Sequence, residues 1–320
     1  MGDCMNILKE LVDSVRNDDF VYIQTHNFPD HDAVASAFGL QHLLRQFGKA
    51  SHIIYEGDIQ RDSLNKMIED LNIRILHNTE HRLTEHHKII IVDGCKGNKN
   101  VTDLIGDEIA VIDHHEVTAT EDVRFVDIRP EYGACSSIIY DYFRDFNFTV
   151  PRDISTALMI GINMDTALLT RGVSEADVQA YADLYPLADI RMQNSLLRNY
   201  IQTKDLDFYR YAINNVEIKN EAAFCYFPDG CNQNLLGILG DFFLALEEVD
   251  FVVLCARNQE KINFSVRNEK KEWNAALIIQ DVLAGIGFGG GHQDMAGGII
   301  NDIKHFNKEE LFEKFYQKLI

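Results

Sequence analysis

The chain has 320 residues, 46% of them hydrophobic, and a formal net charge of −20. That length accommodates two ordinary domains, and the acidic balance argues against a non-specific binder of long duplex nucleic acid, which needs a basic footprint to displace counterions. A short anionic substrate stays open, because screening at cellular salt limits the reach of net charge to roughly 8 Å and a local cluster of cations or metal outweighs distant acids.

Met1-Gly2-Asp3-Cys4 opens neither a basic nor an apolar leader, and no run of about 18 apolar residues follows. A cytoplasmic protein without membrane attachment is expected. The cysteines Cys4, Cys95, Cys135, Cys225, Cys231 and Cys255 form no CxxC pair, so reduced thiols are expected. Residues 6–17 read as a helix. A short apolar strand at 21–25 then runs into His26-Asn27-Phe28-Pro29-Asp30-His31-Asp32, and a helix from Ala33 to about Phe47 follows. Both acids thus fall on a strand-to-helix loop beside a helix N-terminus. The pattern continues with a strand at 51–55, a helix at 62–71 and a short strand at 73–76. A strand at 88–92 ends in Asp93-Gly94, and one at 108–112 ends in Asp113-His114-His115. An edge strand at 123–126 and helices at 136–146 and 153–169, the latter containing Asp165, complete a doubly wound, mostly parallel α/β domain. Because right-handed crossovers align the carboxyl ends of parallel strands, these acids and histidines converge on one crevice.

A long helical pattern from 174 to 213 reads as a connector. Beyond it come strand (222–227), helix (234–246), strands (251–256 and 262–266), helix (273–283), a glycine-rich loop at 287–298, a strand around Ile299 and a helix from Lys308. The expected organisation is residues 1–190 as the larger α/β domain, 191–216 as the helical connector and 217–320 as a smaller α/β domain.

Taken singly, the candidate residues have ordinary readings. Asp30 and Asp32 suit a helix cap or solvated turn, Asp93 suits a turn before glycine, and Arg267 suits an exposed strand end. His86-His87 is also a histidine pair, but on a polar segment, and reads as surface. Cys95 reads as a packing thiol. Jointly the set is different. Carboxylates with some imidazole and no thiolate suit Mn²⁺ or Mg²⁺, and a surplus of ligands suggests two ions sharing a bridging carboxylate, as in displacement at phosphorus. In the glycine-rich loop, bare amides beside a histidine form a cradle for an anionic group.

The ordered motifs His26 to Asp32, Val92-Asp93, Asp113-His114-His115, Gly161 to Thr166, and Gly289-Gly290-Gly291-His292 with Ala296-Gly297-Gly298 resemble the DHH/DHHA1 phosphoesterases, most of all the bifunctional oligoribonuclease and pAp phosphatase branch. The resemblance implies a DHH domain and a DHHA1 domain with two Mn²⁺ ions in the cleft between them, Mg²⁺ or another divalent ion being the alternative. It assigns His26, Asp30 and Asp93 to one ion and Asp32, Asp93, His114 and Asp165 to the other. Asp113 would orient His114, and His115 would face the scissile phosphate. Arg267, Gly289, Gly290, Gly291 and His292 would hold the substrate's end. The implied substrates are short single-stranded RNA, dinucleotides or pAp, and a homodimer is left open. His31 stands where many members carry glycine, and Gly94-Cys95 replace commoner small polar residues. Two rivals are kept: pyrophosphate or polyphosphate hydrolysis, against which the absence of a Ser-Arg-Lys cluster counts, and a catalytically silent nucleotide-binding protein, against which the intact ligand set counts.

Overall fold

A computed structural model describes residues 2–59, 61–197 and 201–320, in two compact units, Met1–Tyr200 and Ile201–Ile320. In the first unit the elements are α1 (Gly2–Ser14), β1 (Phe20–Gln24), α2 (His31–Gln46), β2 (Ala50–Tyr55), α3 (Asp62–Asp70), β3 (Ile75–His77), β4 (Lys88–Val92), β5 (Asp107–Asp113), β6 (Phe125–Ile128), α4 (Cys135–Asp145), α5 (Arg152–Asp165), α6 (Glu175–Leu184) and α7 (Ile190–Leu197). The six strands form a parallel sheet in the order β3-β2-β1-β4-β5-β6. The sequences of β1, β4 and β5 are almost unbroken apolar runs, as strands covered on both faces require. The chain winds outward from β1 through β2 to β3 and then returns to pair β4 with β1, Ile23 opposite Ile90. Between β1 and β4 the connections leave in opposite directions, and the crevice beyond their carboxyl ends is the ligand position of such sheets.

One face of the sheet carries the main core, with Leu40 and Leu43 of α2 packed among Ile139, Phe143 and Leu158. The helices approach closely at Gly39, where a Cβ would lie 2.8 Å from Ile139 Cγ2 and 3.1 Å from Leu158 Cδ2. The opposite face, bearing Tyr22, Ile54, Ile89, Ile91 and Val111, is closed by loop residues such as Leu83, Val101, Leu104 and Val117. His86 is exposed as expected. His87 is half-buried rather than fully exposed: its ring stacks on Phe20 at 5.5 Å, because the turn into β4 folds it back over the sheet.

The expected helix to Leu169 stops at Asp165, and Ala167, Leu168 and Leu169 follow with positive φ. The long helical pattern beyond 174 is also broken, into α6, α7 and α8 (Leu206–Asn215). Pro186, just past α6, has no amide with which to continue that helix. Residues 198–200 of the expected connector lie outside the described residues.

The second unit adds β7 (Glu217–Lys219), β8 (Ala222–Phe227), α9 (Gln233–Leu244), β9 (Phe251–Asn258), β10 (Lys261–Asn268), α10 (Ala275–Val282), β11 (Phe288–Gly291), β12 (Met295–Ile300) and α11 (Lys308–Gln317). Its mixed sheet runs β11-β12-β10-β9-β8-β7. Alternate residues of β9 enter different cores: Phe251, Val253 and Cys255 on one face, Val252, Leu254 and Ala256 on the other. The glycine-rich stretch is a β-hairpin rather than an open loop, with Gly289 paired to Gly298 and Gly290 to Gly297. Lack of side chains lets it lie on α10: a Cβ on Gly289 would be 2.8 Å from Ile279 Cγ2, and one on Gly298 2.6 Å from Ile279 Cδ1. Among the described residues, no helix is long and apolar enough to cross a membrane.

One buried acid is satisfied wholly within the fold. Asp177 Oδ2 accepts from the amides of Gly133 and Ser174, each at 2.8 Å, and from Ser174 Oγ at 2.6 Å, while Oδ1 accepts from Ser137 Oγ at 2.6 Å. It caps α6 and fastens that helix to the start of α4. Asp177→Ala strands these buried donors, at about 1–3 kcal/mol for an unsatisfied group, and a loss of that order or more is expected in chemical denaturation. An unchanged midpoint would mean that solvent replaces the carboxylate.

Candidate metal centre

Three strand ends and two helices supply the site. His26 follows β1, Asp93 follows β4, Asp113 ends β5 with His114 and His115 next in the chain, Asp30 and Asp32 open α2, and Asp165 ends α5. Three overlapping groups result, His26 with Asp30 and Asp93, Asp32 with Asp93, His114 and Asp165, and His115 with Asp93 and His114; within each, ligand atoms lie within 4.8 Å of one another. Asp93 belongs to all three, and the first two hold the residues expected to bind metal. Its Oδ2 is 3.6 Å from His26 Nε2, and its Oδ1 is 3.3 Å from His114 Nε2. One carboxylate thus turns a separate oxygen toward each imidazole. The backbone permits this by taking φ 53° at Asp93, a left-handed conformation that aspartate tolerates better than most side chains.

The imidazoles are aimed by carbonyls. His26 Nδ1 donates to Asn27 O at 2.8 Å and His114 Nδ1 to Tyr132 O at 3.2 Å. Since a carbonyl only accepts, Nδ1 carries the proton in both rings, and Nε2 is the atom that would face a cation. The expected bond from Asp113 to His114 is replaced by this arrangement. Asp113 Oδ1 instead accepts from the amides of His114 and His115 and, at 2.8 Å, from His115 Nδ1. The reason is geometric, since adjacent residues beyond a strand face different ways.

The two acids of the first loop differ. Asp30 Oδ1 caps α2, accepting from the amides of Asp32 and Ala33, so the capping reading and the ligand reading apply to one residue. Asp32 is fully buried. Its Oδ2 accepts from the Cys135 amide at 2.7 Å and its Oδ1 from the Ser136 amide at 3.0 Å, at the start of a helix whose own N-cap, Ala134, has no side-chain hydrogen bond. A helix N-terminus carries about half a positive charge, which offsets part of the cost of burying the carboxylate. Room for it comes from Gly161, where a Cβ would sit 2.6 Å from Asp32 Oδ1 and 2.3 Å from Ser136 Oγ.

Charge accumulates here beyond what the protein neutralises. Burial, followed by the charges of Asp165 and Asp93, holds the Asp32 carboxyl well above its ordinary range. Burial, then Asp30, pushes Asp165 up to about 6. Burial alone would lower His26, but Asp30 and Asp93 outweigh it and push the imidazole up to about 10. His115 is raised chiefly by its bond to Asp113. Burial opposes ionisation of Asp30, yet His26 and Arg61 hold its carboxyl below the usual range. Asp93 Oδ1 and His114 Nε2 are buried without a hydrogen-bond partner among the described residues. A carboxylate-rich donor set with imidazole, missing thiolates and holding orphaned lone pairs, fits a hard divalent cation.

The proposed substrate-binding residues are in the second unit. Arg267 lies on β10, its side chain 13% exposed. Nε donates to Asp241 Oδ1 at 2.6 Å, and Nη1 to Ser265 Oγ and Val266 O, both at 3.1 Å. It is thus no solvated strand-end charge. A Cβ on Gly237 would be 2.8 Å from Nη2, so the guanidinium rests on α9. Gly289, Gly290 and Gly291 form β11, and His292 begins the hairpin turn, its amide donating to Met295 O at 2.7 Å. Cys95 is a buried packing thiol. Sequence reading missed Tyr132 and the Cys135 and Ser136 amides; Gly161 stood in the motif that carries Asp165, but its role in making room for Asp32 was not read from it.

Known proteins resemble this chain in both units. Residues 20–162 match the DHH family, N-terminal domain, and residues 219–320 the DHHA1 domain. An uncharacterized protein of Methanocaldococcus jannaschii is 29% identical over 301 residues, covering 93% of this chain, which spans only 62% of that relative's length. The bifunctional oligoribonuclease and PAP phosphatase NrnA of Mycoplasma genitalium is 25% identical over 94% of each chain. A probable manganese-dependent inorganic pyrophosphatase of Streptococcus thermophilus is 27% identical over 54% of this chain and 57% of its own. Among solved structures, an exopolyphosphatase-related protein from Bacteroides fragilis shares the fold with a TM-score of 0.81 and 18% identity, over 100% of this chain and 96% of that one.

Gly161→Ala should displace the Asp32 carboxylate and weaken divalent-metal binding at least tenfold in a calorimetric titration, while far-ultraviolet circular dichroism stays native. Wild-type affinity in that variant would show that the glycine is not needed to seat Asp32.

Proposed function

The chain belongs to the DHH/DHHA1 family of metal-dependent phosphoesterases, and we propose that it hydrolyses phosphodiester or terminal phosphomonoester bonds of short oligoribonucleotides, dinucleotides or pAp with two Mn²⁺ ions. The observation that carries this reading is Asp93, one carboxylate with an oxygen directed at each of two imidazoles and shared by both ligand groups. His26, Asp30 and Asp93 would hold one ion, and Asp32, Asp93, His114 and Asp165 the other. Bound there, divalent ions neutralise phosphoryl charge and lower the pKa of an attacking water. His115, its Nδ1 proton held on Asp113 and its basicity raised by that bond, would donate from the other side of the ring to a phosphoryl oxygen. Arg267, with His292 and the amides of Gly289, Gly290 and Gly291, would grip the substrate's terminal phosphate. The likeness to NrnA over 94% of both chains supports the nucleotide substrate. The second reading, pyrophosphate hydrolysis, draws on a likeness confined to 54% of the chain.

Turnover with pAp, a dinucleotide and pyrophosphate in parallel tests the choice. Mn²⁺-dependent release from the first two is expected, abolished by chelator while the fold survives, and pyrophosphate as the better substrate would overturn the nucleotide reading.

His114→Ala should lower both metal content and rate, whereas His115→Ala should lower the rate by ~10²–10⁴-fold with metal content nearly intact. Equal metal loss in the two would contradict the division of roles.

Arg267→Ala should raise KM for pAp or dinucleotide about tenfold, a charge-assisted hydrogen bond to phosphate being worth roughly 1.5–3 kcal/mol, with metal content unchanged. A fall in kcat alone, or loss of metal, would remove it from substrate binding.

A further inference from the structure

The loop between His26 and Asp30 carries an aromatic side chain that the metal centre does not use. Phe28 is 52% exposed and has φ 55°, a left-handed conformation that bulky L-residues rarely adopt. Nothing in a cap or turn requires a phenyl ring there; asparagine or glycine would take this backbone with less strain. The conformation is over-determined by its surroundings. The Asn27 amide donates to Asn100 O at 2.6 Å, the Phe28 amide to Glu56 O at 2.8 Å, and Asn27 Oδ1 accepts from the Thr102 amide at 3.1 Å. The ring is seated as firmly as the backbone. It lies over Gly57, where a Cβ would come within 2.7 Å of Phe28 Cδ1 and 2.8 Å of Cε1.

Single exposed apolar residues are ordinary on protein surfaces. This one differs by standing two residues from each of two proposed ligands, His26 and Asp30, on a strained and tethered backbone, a combination found where strain serves a site. The chemistry of the position is also selective. Around the centre the protein offers carboxylates and imidazoles, which suit metal and phosphate, whereas the ring offers an uncharged π-face. Aromatic faces of this kind bind nucleobases, and they do so with little regard to base identity. An inorganic phosphate chain has nothing to place on it.

We propose that Phe28 is a stacking platform for a nucleobase of the substrate, beside the metal centre. The platform rests on the phosphoesterase reading above and deepens it: with the phosphate at the centre, the ring favours a nucleotide over pyrophosphate and tolerates all the common bases. Phe28 is a specificity residue rather than a catalytic one.

The test compares kcat/KM, with Mn²⁺, for a ribodinucleotide and for its analogue lacking both bases. In Phe28→Asn, which keeps a side chain suited to the left-handed backbone, the ratio of the two should fall about tenfold through KM for the dinucleotide, with bound manganese and melting temperature held. Phe28→Trp should restore the ratio. An unchanged ratio in Phe28→Asn, or a loss that tryptophan does not rescue, overturns the platform. The two readings fail separately: hydrolysis of the dinucleotide by wild type with no effect of Phe28→Asn removes only the platform, whereas wild type that cleaves pyrophosphate and no dinucleotide removes the nucleotide reading and the platform with it.

Discussion

The crowding of carboxylates at the carboxyl ends of β1, β4 and β5 is the constraint around which the first unit is arranged. Asp30, Asp32, Asp93 and Asp165 meet within two overlapping groups, and in a medium of reduced dielectric their mutual repulsion opposes folding. The protein offsets it in small parts: the N-terminus of α4 on Asp32, the N-terminus of α2 on Asp30, and the imidazoles of His26 and His114. What remains is an electrostatic deficit located between Asp93 and its neighbours. Asp177 marks the contrast. It is equally buried, but four donors satisfy it, and it has nothing left to offer a ligand.

Much of this was legible in the sequence because parallel α/β architecture converts a one-dimensional signal into a place. An apolar run ending in Asp or His, met three times, marks three points on one sheet edge without any knowledge of side-chain contacts. Strand order then decides which points touch, and the pairing of β1 with β4 brings His26 to Asp93. Contacts that depend on carbonyls and amides were not legible. Tyr132 is read from the chain as an aromatic side chain, yet its role toward His114 belongs to its backbone oxygen, and the Cys135 and Ser136 amides act on Asp32 whatever side chains they carry.

In the second unit, composition misled in a different manner. Glycine-rich sequence suggested a loop with free amides, whereas β11 and β12 spend part of that backbone on each other. Glycine here serves packing at one pair, since Gly289 and Gly298, which lie against α10, have no room for a Cβ. As an edge strand of its sheet, β11 has one side with no strand neighbour among the described residues, and amides there keep the polarity that the cradle reading needs. Arg267 shows the same economy. Three acceptors and a glycine-lined helix hold its guanidinium, so it meets a ligand as a rigid group with little rotamer freedom left to lose.

The ordering of the ligands along the chain has a kinetic meaning. His26 and Asp165 are separated by most of the first unit, and β1 pairs with β4 only across the intervening α2, β2, α3 and β3. Parallel pairings of this kind close late, because loop-closure entropy must be met before the contacts form. The two overlapping ligand groups therefore do not exist in any partly folded chain that lacks the central strand pair. A metal ion bound by these groups would select the finished fold rather than nucleate it, and a ribosome-bound chain cut short of α5 would carry five of the six proposed ligand side chains and still have no complete centre.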